Sequence, residues 1–182
     1  MRILGIDPGS TATGYGVIEG QAAALVHVAH GTVRPPRGAA LPDRLVAIQE
    51  GIAELIEAHR PDVAVLERVF VRADNPRSAL VLGQARGVAL VTLASAGLTP
   101  SELTPQEVKA AVVGTGNATK AQVQQMVKRL LGLEKAPGQD AADALAAAIC
   151  RAAQGRLAGL PARGTRSRGS SRAGAWVVRR AR

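Results

Sequence analysis

The stretch over residues 2–16, RILGIDPGSTATGYG, constrains the fold of this chain most strongly. Its first apolar run, ILGI, is typical of a strand buried in a sheet. The run ends on Asp7, and a Pro-Gly-Ser turn then leads directly into a second strand that starts at Tyr15. The sequence therefore predicts an antiparallel hairpin with Asp7 at the carboxyl end of a central strand.

Asp7 is the first candidate functional residue, because burying an unpaired carboxylate is costly. One interpretation gives it a partner, which would be a cation, a hydrogen-bond donor or a metal ion. The other has it cap the local turn by accepting backbone N–H groups. This stretch alone does not separate the two.

Hydrophobic periodicity predicts the order of the remaining elements. A third strand covers residues 22–33, and its His27 and His30 are interpreted as ordinary strand residues rather than ligands. A helix over 41–59 precedes a strand that ends on Glu67. Further elements are a helix over 78–96, a strand over 100–103, and helices over 104–112, 119–131 and 139–153. This order predicts an α/β protein with a mixed sheet and helices on its faces.

The net positive charge of the chain comes from its last segment. The net charge is +9, and nine of the 23 Lys and Arg residues lie in 151–182, which has no Asp or Glu. The 14 basic residues of 1–150 match its 14 acidic ones, so any nucleic-acid surface there must be local. We expect one domain over 1–154 and a basic, disordered tail over 155–182.

Composition also argues against several classes of protein. No apolar run reaches the roughly 18 residues of a membrane span, and the start of the chain does not resemble a signal peptide. The single Cys150 excludes an internal disulfide and fits a reducing compartment, so a cytoplasmic location without membrane association is expected. Cys150 and the three histidines lack zinc-ligand spacing.

Four acids occupy positions from which an active site can form: Asp7, Glu67, Asp140 and Asp143. Asp7 and Glu67 end two strands, while Asp140 and Asp143 lie three apart on one face of the last helix. Converging carboxylates repel one another, and hard divalent cations such as Mg²⁺ relieve that repulsion. Taken singly, Asp140 and Asp143 could instead interact with the dipole of the last helix, and Glu67 could be an exposed residue at a strand end. The set of four acids favours a metal site.

Four segments also carry a resemblance to a known family. They are ILGIDPGSTATGYGVI at 3–18, LERVFV with NPRSALVLGQARG within 66–87, VKAAVVGTGNATKAQVQQMV at 108–127, and DAADALAAAI at 140–149. In this order and spacing they resemble the RuvC family of Holliday-junction resolvases. The resemblance implies a ribonuclease-H-like fold, here a five-stranded mixed sheet flanked by helices. It also implies a homodimer that cuts four-way DNA junctions by paired symmetric nicks in recombination and repair.

Family resemblance assigns roles to the acids as well. Asp7, Glu67, Asp140 and Asp143 match the family's catalytic acids, which hold two Mg²⁺ ions, with Mn²⁺ able to substitute. Lys120 matches a catalytic and DNA-binding lysine, whose charge would neutralise a scissile phosphate. A branch-migration helicase complex of the RuvA-RuvB type is the implied protein partner.

The remaining DNA contacts are expected around a basic loop. Phe70 matches an aromatic residue that stacks on bases at the junction, although it could instead fill the core. Arg72, Asn75 and Arg77 on the same loop are expected DNA contacts. Lys109 is either a DNA contact or part of a solvated helix face.

Some features depart from the family pattern or leave its assignment open. Arg151 stands where the family often has a histidine. Ala79, Gly83 and Gly87 form a stripe that suits either the implied dimer interface or packing on the chain's own sheet. A two-lobed ATPase is disfavoured by the short chain. The same residues would also suit a related RNA-processing nuclease or a non-catalytic nucleic-acid-binding module of the same fold.

Overall fold

The computed structural model describes residues 1–21, 24–68 and 76–158. Within them the elements follow the predicted order of strands and helices. The strands are β1 (Arg2–Asp7), β2 (Thr13–Gln21), β3 (Ala24–Val33), β4 (Val63–Glu67) and β5 (Ser101–Leu103). The helices are α1 (Leu41–His59), α2 (Pro76–Ser95), α3 (Pro105–Val113), α4 (Lys120–Leu130) and α5 (Gln139–Ala158).

The strands form one mixed sheet in the order β3-β2-β1-β4-β5. β1 pairs antiparallel with β2, with Ile6 opposite Tyr15, which confirms the predicted hairpin. On its other side β1 pairs parallel with β4, with Ile6 opposite Leu66. The five-stranded mixed sheet is therefore confirmed, and its central strand is the one that ends on Asp7.

Alternating side chains of the strands enter two separate cores. Leu4 and Ile6 pack on one face with Ile48 of α1 and Leu93 of α2. Ile3 and its neighbours pack on the other face with α3, α4 and α5. Both faces of the sheet are covered because the β-α-β connections carry helices to both sides.

Helix α5 lies unusually close to the sheet, as its alanine-rich sequence predicts. A Cβ atom on Gly5 of β1 would lie 2.1 Å from the carbonyl oxygen of Ala144, and one on Gly16 would lie 2.6 Å from the Leu145 side chain. Real Cβ contacts are not this short, so glycine is required on the strands. The strands and the helix thus contribute small residues to the same contact.

Two helices differ from their sequence-based predictions. α5 continues to Ala158, beyond its predicted end at 153. The division into a domain over 1–154 and a tail over 155–182 stays a prediction, and residues 159–182 lie outside the described residues. α2 is, among the described helices, long and apolar enough to cross a membrane by length and composition, a test that core helices also pass. Ala85, Ala89 and Leu93 attach α2 to the sheet, while its other side is exposed.

Candidate metal centre

The carboxyl ends of β1 and β4 open into one cleft. Because the two strands are parallel neighbours, Asp7 and Glu67 emerge at the same edge of the sheet. The cleft has a volume of about 380 Å³. It is lined by Asp7, Glu67, Arg68, Pro105, Val108, Lys109, Lys120, Val123 and Asp143. Three of the four predicted acids therefore share one cavity.

The first turns of α5 bring the remaining acids to this edge. A Cβ on Gly14 would lie 2.1 Å from the carbonyl oxygen of Asp140, so the start of α5 rests directly on β2. Asp143, one turn later, lines the cleft. Asp140 does not line it, because its carboxylate is turned to Arg34, with Oδ2 3.6 Å from the guanidinium Nη2.

Burial and the neighbouring acids raise the pKa of two carboxyl groups in the cleft. Burial, followed by the charges of Asp143 and Glu67, raises the pKa of Asp7 from 3.8 to about 7. Burial, followed by Asp143, also raises the pKa of Glu67. The cleft thus concentrates negative charge that it cannot fully balance by itself.

Two lysines supply positive charge that offsets part of the negative charge of the cleft. Both lie on helices whose N-termini are capped. Thr104 begins α3 and Thr119 begins α4, each with a reciprocal capping box. Lys109 lines the cleft from α3, and Lys120 donates from Nζ to Asp143 Oδ2 at 3.2 Å. Burial lowers the pKa of Lys120, but Asp143 and the other cleft acids raise it, and the net change is upward. Lys120 is therefore charged at neutral pH.

The donor set fits a hard divalent cation. Carboxylate oxygens are the ligands that Mg²⁺ prefers, and a dication would offset the burial and the repulsion that together raise the pKa of Asp7. With the side chains as they stand, no three His, Cys, Asp or Glu groups in the described parts of the chain are close enough to hold an ion together. Asp140 and Asp143 are instead engaged with Arg34 and Lys120.

Arg86 of α2 supports Glu67 from behind the cleft, a role that the sequence analysis missed. Its Nη1 donates to the Glu67 carbonyl oxygen at 2.8 Å, and its Nη2 lies 2.6 Å from Glu102 Oε1. The Arg86 side chain is only 15% exposed. An arginine in the middle of an apolar helix needs such acceptors, and this position of Arg86 indicates a buried partner from the sequence.

The turn after β1 is braced internally. Thr13 is fully buried, and its Oγ1 donates to the Gly9 carbonyl oxygen at 2.9 Å. This bond folds the Pro-Gly-Ser turn back on the start of β2. The turn does not rely on the Asp7 carboxylate, which lines the cleft.

The predicted DNA contacts divide between described and undescribed residues. Arg77 is exposed in the first turn of α2. Phe70, Arg72 and Asn75 lie outside the described residues, so their roles stay predictions. Arg151 is partly exposed in α5.

Comparison with known proteins gives consistent matches over the globular part. The profile of a family described as "Crossover junction endodeoxyribonuclease RuvC" matches residues 3–151. A protein of that name from Alkalilimnicola ehrlichii is 56% identical over 149 residues, which cover 82% of this chain and 89% of the relative. Another protein of that name, from Bordetella petrii, is 51% identical over 178 residues, which cover 93% of this chain and 97% of the relative.

Solved structures match as well. Thermus thermophilus RuvC in complex with a Holliday junction substrate superposes with a TM-score of 0.81 at 32% identity, covering 87% of this chain and 96% of that one. The yeast mitochondrial Holliday junction resolvase Ydc2 matches with a TM-score of 0.58 at 15% identity, covering 82% of this chain and 78% of that one. At this identity the match shows a shared fold alone.

Proposed function

The chain belongs to the RuvC family of crossover junction endodeoxyribonucleases, and on that premise we propose that it resolves Holliday junctions by paired symmetric nicks. The observation that carries the proposal is the cleft in which Asp7, Glu67 and Asp143 converge beside Lys109 and Lys120. Acids for a metal and cations for a phosphate are the two requirements of metal-assisted phosphodiester hydrolysis. The single buried cysteine suits action in the cytoplasm.

Asp7, Glu67, Asp140 and Asp143 would hold two Mg²⁺ ions, with Mn²⁺ able to substitute. When bound, such ions activate water and stabilise the leaving oxygen. Asp140 would turn from Arg34 toward the cleft, and Asp143, which already lines it, would exchange Lys120 for an ion. Lys120 would then be released to contact the scissile phosphate.

DNA would be held by cations around this cleft. Lys109 and Lys120 line it, and Arg77 stands exposed at the start of α2. Phe70 would stack on unpaired bases, while Arg72 and Asn75 would contact the backbone. These contacts explain how a globular part with balanced charge can bind a polyanion.

A homodimer would supply two such clefts for two symmetric cuts. The exposed side of α2 carries Leu80 and Val91, which are 66% and 64% exposed, and Cβ atoms on Gly83 and Gly87 would meet nothing within 4 Å. This side can approach a second copy closely. A branch-migration complex of the RuvA-RuvB type would deliver the junction.

Val91→Asp is expected to shift the protein toward monomer, because it places a charge in the proposed apolar interface. Sedimentation equilibrium measures the change. Val26→Asp is the matched control, since Val26 is 62% exposed on the edge strand β3. A dimer constant unaffected by Val91→Asp would rule out this side of α2 as the interface.

The test of the proposed function compares three substrates in Mg²⁺ with one protein preparation. We expect two symmetric nicks in a synthetic four-way junction, and little cutting of a linear duplex or a structured RNA. Preference for RNA would favour an RNA-processing nuclease. Binding of the junction without cutting in either Mg²⁺ or Mn²⁺ would favour a non-catalytic module, and both results contradict the proposal.

Arg86→Met is expected to lower junction cutting about 10- to 100-fold, because it frees the main chain of Glu67 and leaves Glu102 without its closest partner. A raised Mg²⁺ requirement should accompany the loss. Arg2→Met is a matched control. At the other end of β1, Arg2 likewise donates to a main-chain carbonyl, that of His59, and to the carboxylate of Glu19. Equal losses in the two variants would mean that Arg86 serves stability alone.

A further inference from the structure

A pair of histidines on the edge strand β3 stands apart from the candidate metal centre. Nε2 of His27 lies 2.7 Å from Nδ1 of His30, and the two rings meet edge to face with centroids 4.8 Å apart. Both side chains are partly exposed. The sequence predicts two ordinary strand residues at these positions, and their direct contact was not predicted.

A β-bulge creates this contact. Residues three apart in a regular strand point to opposite faces of the sheet. The pairing of β2 with β3 shifts register so that Val28 has no partner, while His27 pairs with Ile18 and His30 with Gly16. Because Ile18 and Gly16 are two apart on β2, both histidines project from the same face. This is the face that α5 covers.

We propose that His27 and His30 form a binding site for a borderline divalent transition ion of the Zn²⁺, Ni²⁺ or Cu²⁺ class. Imidazole nitrogens bind such ions at about 2.0–2.1 Å, which separates two neighbouring ligand nitrogens by roughly 2.9–3.4 Å. The observed 2.7 Å is close to this range, and the two rings would have to turn so that each nitrogen points to a shared ion instead of to the other ring. Mg²⁺ prefers oxygen ligands and is not expected here.

The lowered pKa of His27 is compatible with ion binding. Burial, followed by His30, lowers the pKa of His27, which leaves that ring neutral near pH 7. The hydrogen bond uses one N–H, and the donor ring frees this nitrogen by moving its proton to the other ring nitrogen. Within the described residues no third His, Cys, Asp or Glu joins the pair, so water completes the coordination. The partly exposed edge of the sheet gives water access.

The test is a calorimetric titration of the untagged full chain with Ni²⁺ or Zn²⁺ in excess Mg²⁺, which keeps the carboxylate cleft engaged. Wild type is expected to bind one ion, and His27→Gln and His30→Gln should each weaken binding at least about tenfold. His59→Gln is the control, because His59 is the last residue of α1 and does not belong to β3. Melting curves of each variant establish that it folds.

Three results would overturn the assignment. The first is a wild-type chain that binds neither ion, and the second is affinity that survives in both His27→Gln and His30→Gln. The third is binding abolished by Asp7→Asn, which would place the ion in the carboxylate cleft. Since the proposed site does not use the cleft, its success or failure is independent of the proposed nuclease activity.

Discussion

Asp7→Asn is expected to lower junction cutting by about 10³-fold or more while junction binding is retained. Asparagine keeps the size of the side chain but removes the charge of Asp7 from the cleft, where it lies beside Glu67 and Asp143. Loss of a group that acts directly on the reacting centre typically has effects of this size. Gel-shift binding and single-turnover cutting of the same four-way junction measure the two quantities separately.

Asp62→Asn provides the matched control for this prediction. Asp62 lies near the other end of β1, where its Oδ2 accepts a hydrogen bond from the Arg2 main chain at 2.6 Å. It does not line the cleft, so its cutting rate should stay near wild type. If Asp7→Asn cuts as fast as Asp62→Asn, the metal centre has been assigned to the wrong acids.

Asp7→Asn should also stabilise the metal-free protein. The pKa of Asp7 is raised from 3.8 to about 7, so the fold favours the protonated form. The stability that this gives is present below about pH 3.8 and is lost as pH rises through 7. At about 1.4 kcal/mol per pKa unit, Asp7→Asn should raise the free energy of unfolding at about pH 8 by a few kcal/mol in a chelator. Mg²⁺ should stabilise the wild type and have less effect on the variant.

Gly5→Ala is expected to destabilise the protein by about 3 kcal/mol or more, although it adds one methyl group. The new Cβ would lie 2.1 Å from the carbonyl oxygen of Ala144 and 3.2 Å from the Ala148 Cβ. The first contact involves backbone, so α5 must move away from β1 as a unit. Because α5 carries Asp140 and Asp143, the remaining folded protein should also cut poorly.

Gly138→Ala tests whether glycine replacement alone has this effect. Gly138 precedes α5, and a Cβ there would meet nothing within 4 Å. Denaturant unfolding of the two variants should give a large loss for Gly5→Ala and a change within about 1 kcal/mol for Gly138→Ala. A small loss in Gly5→Ala would show that α5 does not rest on β1 at this distance.

The hairpin, the parallel pair and the meeting of Asp7 with Glu67 follow from local patterns. Apolar runs define the strands, and a β-α-β connection places β4 beside β1 with both carboxyl ends at one edge. The spacing of Asp140 and Asp143 likewise predicts a shared helix face. These features are local or topological, so sequence is sufficient to predict them.

Other features depend on contacts between distant segments. Asp140 pairs with Arg34 of the segment after β3, and nothing near either residue in the sequence indicates that pairing. The bulge at Val28 reverses the face expected for one histidine of the pair, and strand periodicity alone predicts the opposite result. Arg86 reaches Glu67 only because α2 packs behind β4 and β5.

The central claim is that the four acids form one metal site, and iron-directed cleavage of the protein tests it most directly. Fe²⁺ replaces Mg²⁺, and ascorbate with peroxide then generates radicals that cut backbone near the ion. We expect cuts at three separate positions, near Asp7, near Glu67 and around Asp140 and Asp143, all suppressed by excess Mg²⁺. Cuts that Mg²⁺ suppresses at other positions, or at only one of these three, would contradict the claim.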